Sequence, residues 1–205
     1  MSTPHAVIFD VGNVLYRWEP RRLYERLIGD DLALDAFLDN VVTKDWHFQH
    51  DAGRPFAECA AELSAQYPQH ADLIALWGPE FNQTLPGMVE GMQAIVEQLD
   101  ARGVPLFGIT NFSGEFWPPF RARESAIFDR FRDIVVSGDE KLVKPDPAIY
   151  ALALKRFGLE AGQAVFVDDV LANVESARAM GIHTVHFTDA GSLRAELERL
   201  GLLQA

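Results

Sequence analysis

Ala6-Val7-Ile8-Phe9-Asp10-Val11-Gly12-Asn13-Val14, taken together with Ala164-Val165-Phe166-Val167-Asp168-Asp169, decides the fold of this chain. Each is an apolar run of strand length that stops on acid, and a strand apolar at every position is one covered on both faces. As parallel neighbours in one sheet, the two would bring Asp10, Asp168 and Asp169 together at its carboxyl edge, where open α/β folds place ligands. Three carboxylates meeting there repel one another unless a cation or a shared proton intervenes. The pattern therefore implies a hard divalent metal such as Mg²⁺.

Working outward, strands and helices alternate: helix 87–101, strand 104–110, helix 114–123, strand 133–137, helix 146–157, strand 163–168, helix 171–180, strand 183–187 and helix 191–200. This alternation predicts an α/β fold, a Rossmann-like parallel sheet with helices on both faces. Gly103, Gly158 and Gly181 each follow a helical stretch, as glycine at a helix end does. Residues 17–86 carry no convincing strand pattern. Their apolar residues form helical stripes instead: Leu23, Leu27 and Ile28; Leu34, Phe37, Leu38 and Val41; Phe56, Cys59, Ala60 and Leu63; Leu73, Leu76 and Trp77. The expected organisation is a core of residues 1–16 and 87–205 with a small helical insert, 17–86, after the first strand.

With 205 residues, 48% of them hydrophobic, the chain can bury a substantial core. No apolar stretch approaches a membrane span, and Ser2, Thr3, Pro4 and His5 stand where a signal peptide would have a basic end and a long apolar core. A cytoplasmic protein is expected. The single cysteine, Cys59, excludes an intramolecular disulfide and reads as packing in an Ala-rich helix. A net charge of −12, with no basic run beyond Arg21-Arg22, argues against nucleic acid as a partner. An anionic substrate would have to be met by local cations, and there are four lysines: Lys44, Lys141, Lys144 and Lys155.

Four strand ends are chemically marked: Asp10 after the first, Thr110-Asn111 after Leu106-Phe107-Gly108-Ile109, Lys144 in Lys144-Pro145-Asp146-Pro147 after the third, and Asp168-Asp169 after the fourth. On the residues alone, Asp10 could cap a turn, Thr110 could be an N-cap or a strand-end hydroxyl, and Lys144 could be a solvated loop lysine. In this order they resemble the haloacid-dehalogenase-like hydrolase superfamily, and the likeness spans essentially the whole chain. The helical insert is similar to the cap many members carry after the nucleophile. The resemblance implies that Asp10 attacks phosphorus to form an aspartyl-phosphate, and that Asp10, Asp169 and the Gly12 carbonyl bind Mg²⁺, with Asp168 contributing directly or through water. It further implies that Thr110 and the amides of Asn111 and Phe112 bind the phosphoryl group. Lys144 would pair with Asp10 and the phosphate. Asp146 as N-cap and Pro147 at the first helical position would fix the backbone of Lys144. Asn173 either braces the acidic loop or lies on the surface of the next helix.

Gly12 departs from the commonest phosphatase version of the motif, in which a second Asp two residues after the nucleophile protonates the leaving group and then activates water. The dehalogenase branch also lacks that Asp, but it lacks the acidic pair and needs no metal. The phrase Phe9–Leu15, Gln49-His50 followed by Gly53, and Phe116-Trp117-Pro118 look most like the branch containing a bacterial α-D-glucose-1-phosphate phosphatase. A hemiacetal oxygen leaves more readily than an ordinary alkoxide, which suits an anomeric phosphate to a site without a built-in acid. Trp46-His47-Phe48-Gln49-His50 forms either packing or a substrate-facing tip, in which His47 or His50 would bind substrate and supply the missing proton. Lys44 is the insert's only lysine, and phosphonate-cleaving relatives use an insert lysine as a Schiff base, but without further matching context a solvated role fits it better. The expected function is a Mg²⁺-dependent phosphatase of a small phosphorylated metabolite, such as a hexose 1-phosphate. The alternatives are a 2-haloacid dehalogenase or a non-catalytic phosphometabolite-binding protein.

Overall fold

The structure, a computed structural model, describes residues 4–204; Ser2 and Thr3, used above against a signal peptide, lie outside the described residues. Five strands, β1 (Ala6–Phe9), β2 (Leu106–Thr110), β3 (Asp133–Val136), β4 (Ala164–Asp168) and β5 (His183–His186), form one sheet in the order β3-β2-β1-β4-β5. Every pairing is parallel. β1 lies between β2 and β4, with Phe9 opposite Gly108 on one side and Val167 on the other. All residues of β1, β2 and β4 are buried, as their unbroken apolar runs require.

Alternation along these strands sends side chains into two cores. Val7, Phe9, Val165 and Val167 join one apolar cluster, and Ala6, Ile8, Ala164 and Phe166 join the other. The first cluster continues without interruption into the insert through Tyr24, Phe37, Ile74 and Trp77. Between Arg21 and Thr84 every named element is helical. The two ends of this stretch are zipped together: the Arg17 amide donates to the Gly87 carbonyl at 3.0 Å, Glu19 to Thr84 at 2.7 Å, and Val89 to Leu15 at 2.9 Å.

That ribbon explains the largest boundary difference from the sequence reading. The helix expected from residue 87 begins at Met92, because residues 87–89 pair with the chain leaving β1 and Gly91, at φ 84°, turns into the helix. The stripe Leu23, Leu27 and Ile28 also shortens: its helix is Arg21–Tyr24, and Leu27 is 54% exposed. Trp46–His50, considered above as a tip, lies within the helix Lys44–Asp51, capped by the Thr43 hydroxyl accepting from the Trp46 amide at 3.1 Å. Cys59 is buried. Among the described residues no helix is long and apolar enough to cross a membrane.

Candidate active site

The strand order puts Thr110, Asp10 and Asp168 side by side at the carboxyl edge. Strand pairing runs right up to the first acid, the Asp10 amide donating to the Val167 carbonyl at 2.9 Å. Asp168 is the last residue of β4 and Thr110 the last of β2. Asp10, Asp168 and Asp169 each offer an oxygen within 4.8 Å of the others.

Lys144 reaches the same point from the loop beyond β3. It is 2% exposed, with Nζ 2.8 Å from Asp10 Oδ1 and 2.7 Å from Asp168 Oδ2. Its backbone is clamped by Asn111, whose Oδ1 accepts from the Lys144 amide at 2.9 Å and whose Nδ2 donates to the Lys144 carbonyl at 3.0 Å. The helix Pro147–Phe157 starts immediately after, with Asp146 accepting from the Ala148 amide at 2.9 Å and Pro147 in the first position. The rigid entrance expected of this loop is present, and Asn111 adds a clamp that sequence could not show across 33 positions.

The acids differ in what already holds them. Asp168 Oδ1 accepts from the Val170 amide at 2.8 Å and from Asn173 Nδ2 at 3.0 Å, while its Oδ2 takes Lys144 and, at 3.1 Å, Asn173 again. Asn173 therefore braces the acidic loop. At Asp10 the bonds from Lys144 and from the Val11 amide, 2.7 Å, both fall on Oδ1. Burial pushes the Asp10 carboxyl up to about 7; Lys144 pulls it down, and Asp168 and Asp169 push it further up. Burial and then Asp168 raise Asp169 as well. For Lys144, burial alone would lower the ammonium pKa, but Asp10 and Asp168 outweigh it and hold the group charged. Three carboxylates thus face one ammonium and remain short of positive charge. An all-oxygen donor set in that state fits a hard divalent cation such as Mg²⁺.

Beside the acids lies a cavity of about 260 Å³, lined among others by Asp10, Gly12, Asn111, Lys144 and Asp169. The insert contributes Lys44, His47, Phe48 and Asp51 to its wall. Lys44 is exposed there. His50 lines a different hollow, with Gly53, Ser113 and Gly138. Both histidines are held neutral: burial, then His50, brings His47 down to about 3, and burial brings His50 down to about 4. Thr110 caps no helix; it is 1% exposed, and its hydroxyl finds no hydrogen-bond partner among the described residues. The Phe112 amide, expected on the phosphoryl group, already donates to Ser137 Oγ at 2.9 Å. Two residues were not singled out from sequence. Ser137 ties the insert to the core by donating to the Asp51 carbonyl at 2.6 Å, and Asp51 adds its carboxyl to those of Asp10 and Asp169 on the cavity wall.

A model of the haloacid dehalogenase-like hydrolases matches residues 4–181. A sesquiterpene phosphatase of Aspergillus oryzae is 29% identical over 205 residues, covering 97% of this chain and 97% of its own. A phosphoglycolate phosphatase of Thiobacillus denitrificans is 29% identical over 127 residues, covering 62% of this chain and 50% of its own length. Among solved structures, a HAD family enzyme from Bacteroides thetaiotaomicron in a magnesium complex superposes with a TM-score of 0.72 at 18% identity, covering 97% of this chain and 100% of that one. At that identity the likeness is one of fold.

Proposed function

Because this chain belongs to the haloacid dehalogenase-like hydrolase family, we propose that it is a Mg²⁺-dependent phosphatase acting through an aspartyl-phosphate on Asp10. The observation that carries this reading is the gathering of Asp10, Asp168 and Asp169 within 4.8 Å around a buried lysine. A dehalogenase attacking carbon has no use for three acids at one point. Asp10, Asp169 and the Gly12 carbonyl would hold the cation, with Asp168, both of whose oxygens are engaged, acting through its neighbours. Bound there, Mg²⁺ supplies charge neutralisation between the nucleophile and the phosphoryl oxygens.

The chain's own residues do the rest. Asp10 Oδ1 is fixed by Lys144 and the Val11 amide, which leaves Oδ2 to attack phosphorus in line. Lys144 and the Thr110 hydroxyl, which has no partner among the described residues, stabilise the equatorial oxygens as charge shifts onto them. The insert covers the site as a cap, residues 17–86 over a core of 1–16 and 87–205.

Trp18, Phe48, Phe81, Leu85, Phe112 and Val170 make much of the cavity wall. A hexose would leave its hydroxyls facing these groups, so the wall supports an alcohol portion with an apolar face. A second hollow of about 690 Å³ shares Trp18, Lys44 and His47 with the first and would accommodate a longer apolar tail. The similarity to a sesquiterpene phosphatase along nearly its whole length points the same way. The hexose 1-phosphate reading keeps one support: Gly12 carries no acid, and an anomeric oxygen needs little help to leave.

The test is a panel of sugar, short-chain alkyl and prenyl monophosphates with Mg²⁺, run on wild type and Asp10→Asn. Phosphate release that stops in EDTA and in the variant is expected, with alkyl or prenyl substrates preferred. Release unaffected by Asp10→Asn, or halide release from haloacids that survives EDTA, would overturn the proposal.

A further inference from the structure

We propose that Asp51, at the end of the insert's helix Lys44–Asp51, is the general acid and base that Gly12 cannot be. The assignment rests on the phosphatase reading and extends it. Asp51 lines the same cavity as Asp10 and Lys144 while being only 6% exposed. Its Oδ1 is buried and has no hydrogen-bond partner among the described residues. A buried polar oxygen left without a partner is costly, so it calls for an explanation.

The neighbours decide where the proton sits. Trp77 Nε1, a donor only, gives its hydrogen to His47 Nδ1 at 3.2 Å. The neutral His47 ring must then carry its own hydrogen on Nε2, which faces Asp51 Oδ2 at 3.6 Å. A donor opposite Oδ2 leaves Oδ1 as the oxygen that carries a proton. Trp77 and His47 are thus positioning residues for Asp51. The backbone is fixed as well, because Ser137 Oγ, which also accepts from the Phe112 amide, donates to the Asp51 carbonyl.

Burial first, and the Asp10 charge second, push the Asp51 carboxyl up to about 8, against the pull of Lys144 and the Ser113 amide. A cation on Asp10 would offset the second cause and leave the first. His47 and His50 are held neutral and have no proton to give at neutral pH. Gly12, for its part, leaves room beside the nucleophile: a Cβ built there meets nothing within 4 Å.

An Asp10 oxygen bonds to phosphorus as the P–O bond to the alcohol breaks, and the departing oxygen takes the Asp51 proton to leave as ROH. Water then attacks the phosphorus of the aspartyl-phosphate and gives a proton to the Asp51 carboxylate. The bond from phosphorus to Asp10 breaks, releasing inorganic phosphate with both aspartates restored. With an acid present, phosphates of ordinary alcohols come within reach, which agrees with the apolar wall.

The test uses the Mg²⁺-loaded protein, wild type and Asp51→Asn, in rapid-mixing experiments with p-nitrophenyl phosphate and n-butyl phosphate. Asparagine replaces a neutral carboxyl by a neutral group of the same shape but cannot give up a proton. Butanol release should fall by about 10²- to 10⁴-fold, the usual worth of a general acid. The burst of p-nitrophenolate, a leaving group that needs no proton, should persist within a few-fold and then turn over slowly. Equal loss on both substrates, or loss on neither, overturns the assignment while the phosphatase reading stands. A wild type inactive on every phosphate removes both. A measurement independent of the variant is the leaving-group dependence of the wild type's phosphorylation rate. A shallow slope supports an acid, and a steep one, as for unassisted departure, rules it out.

Discussion

Lys144 is buried with its ammonium between Asp10 and Asp168, and the three charges hold one another in place. Replacing it with methionine keeps much of the volume but leaves two buried carboxylates facing each other. Removing one partner of such a group costs about 3 to 5 kcal/mol. For a chain of this size that lowers the melting midpoint by about 6 to 20 °C. Lys144→Met should therefore melt well below wild type in EDTA, regain part of the loss in Mg²⁺, and release no phosphate. A variant that melts like wild type in EDTA would show that the ion pairs carry no net stability. Asp10, Lys144 and the acidic pair were legible because each stands at or near the end of an apolar run, where the fold gathers chemistry. Asp51 was not, since before Ala52-Gly53 it reads as a turn residue. The absence of a carboxylate at Gly12 was the available signal, and it pointed to the neighbouring histidines through their ordinary pKa, which burial then moves out of range.

The helix Lys44–Asp51 delivers Asp51 because the turn after it docks on the short helix Ser137–Glu140 that follows β3. Gly53 makes that turn at φ +89°, and a Cβ there would lie 2.8 Å from the Gly138 carbonyl oxygen. Gly53→Ala therefore meets a strained backbone and a backbone clash at once. A left-handed non-glycine residue alone costs about 1 kcal/mol or more. The variant should melt a few degrees lower and lose turnover on alkyl phosphates, while Mg²⁺ still raises its melting point as in wild type. Unchanged turnover would mean that the docking does not set the position of Asp51. The elements themselves were largely legible, with strand and helix limits mostly within a few residues, because buried strands and half-buried helices differ in apolar period. The pairing of residues 15–19 with 84–89 was not legible, since it is made by backbone groups that leave no pattern in the side chains. Trp46–His50 was ambiguous between tip and helix for a related reason: four aromatic rings in five residues show no polar face until Trp77 and Phe81 pack around them.

Across the whole molecule, buried acids and buried histidines set opposing pH dependences whose balance can be worked out. Asp10 and Asp51, near 7 and 8 in the fold against 3.8 ordinarily, bind protons more tightly when folded. Their contribution to stability is complete below pH 3.8 and is lost as pH rises through 7 and 8. His47 and His50, near 3 and 4 in the fold against 6.5 ordinarily, bind protons less tightly when folded, so their contribution is complete above 6.5 and is lost as pH falls. Between about pH 4 and 6.5 the unfolded chain protonates the two histidines while the folded one protonates the two acids, and the dependences cancel. Between about pH 6.5 and 8 only the acids titrate, so the metal-free protein should lose roughly 2 to 3 kcal/mol. Mg²⁺ needs Asp10 deprotonated, so protons compete with it below pH 7. At one fixed Mg²⁺ concentration, the difference in melting point between loaded and metal-free protein should grow from pH 6 to pH 8. Taking that difference at each pH cancels the titration of the surface. Asp10→Asn should flatten it, having no proton for the metal to displace. A stabilisation by Mg²⁺ that is the same at pH 6 and 8 would mean that the ion does not engage Asp10.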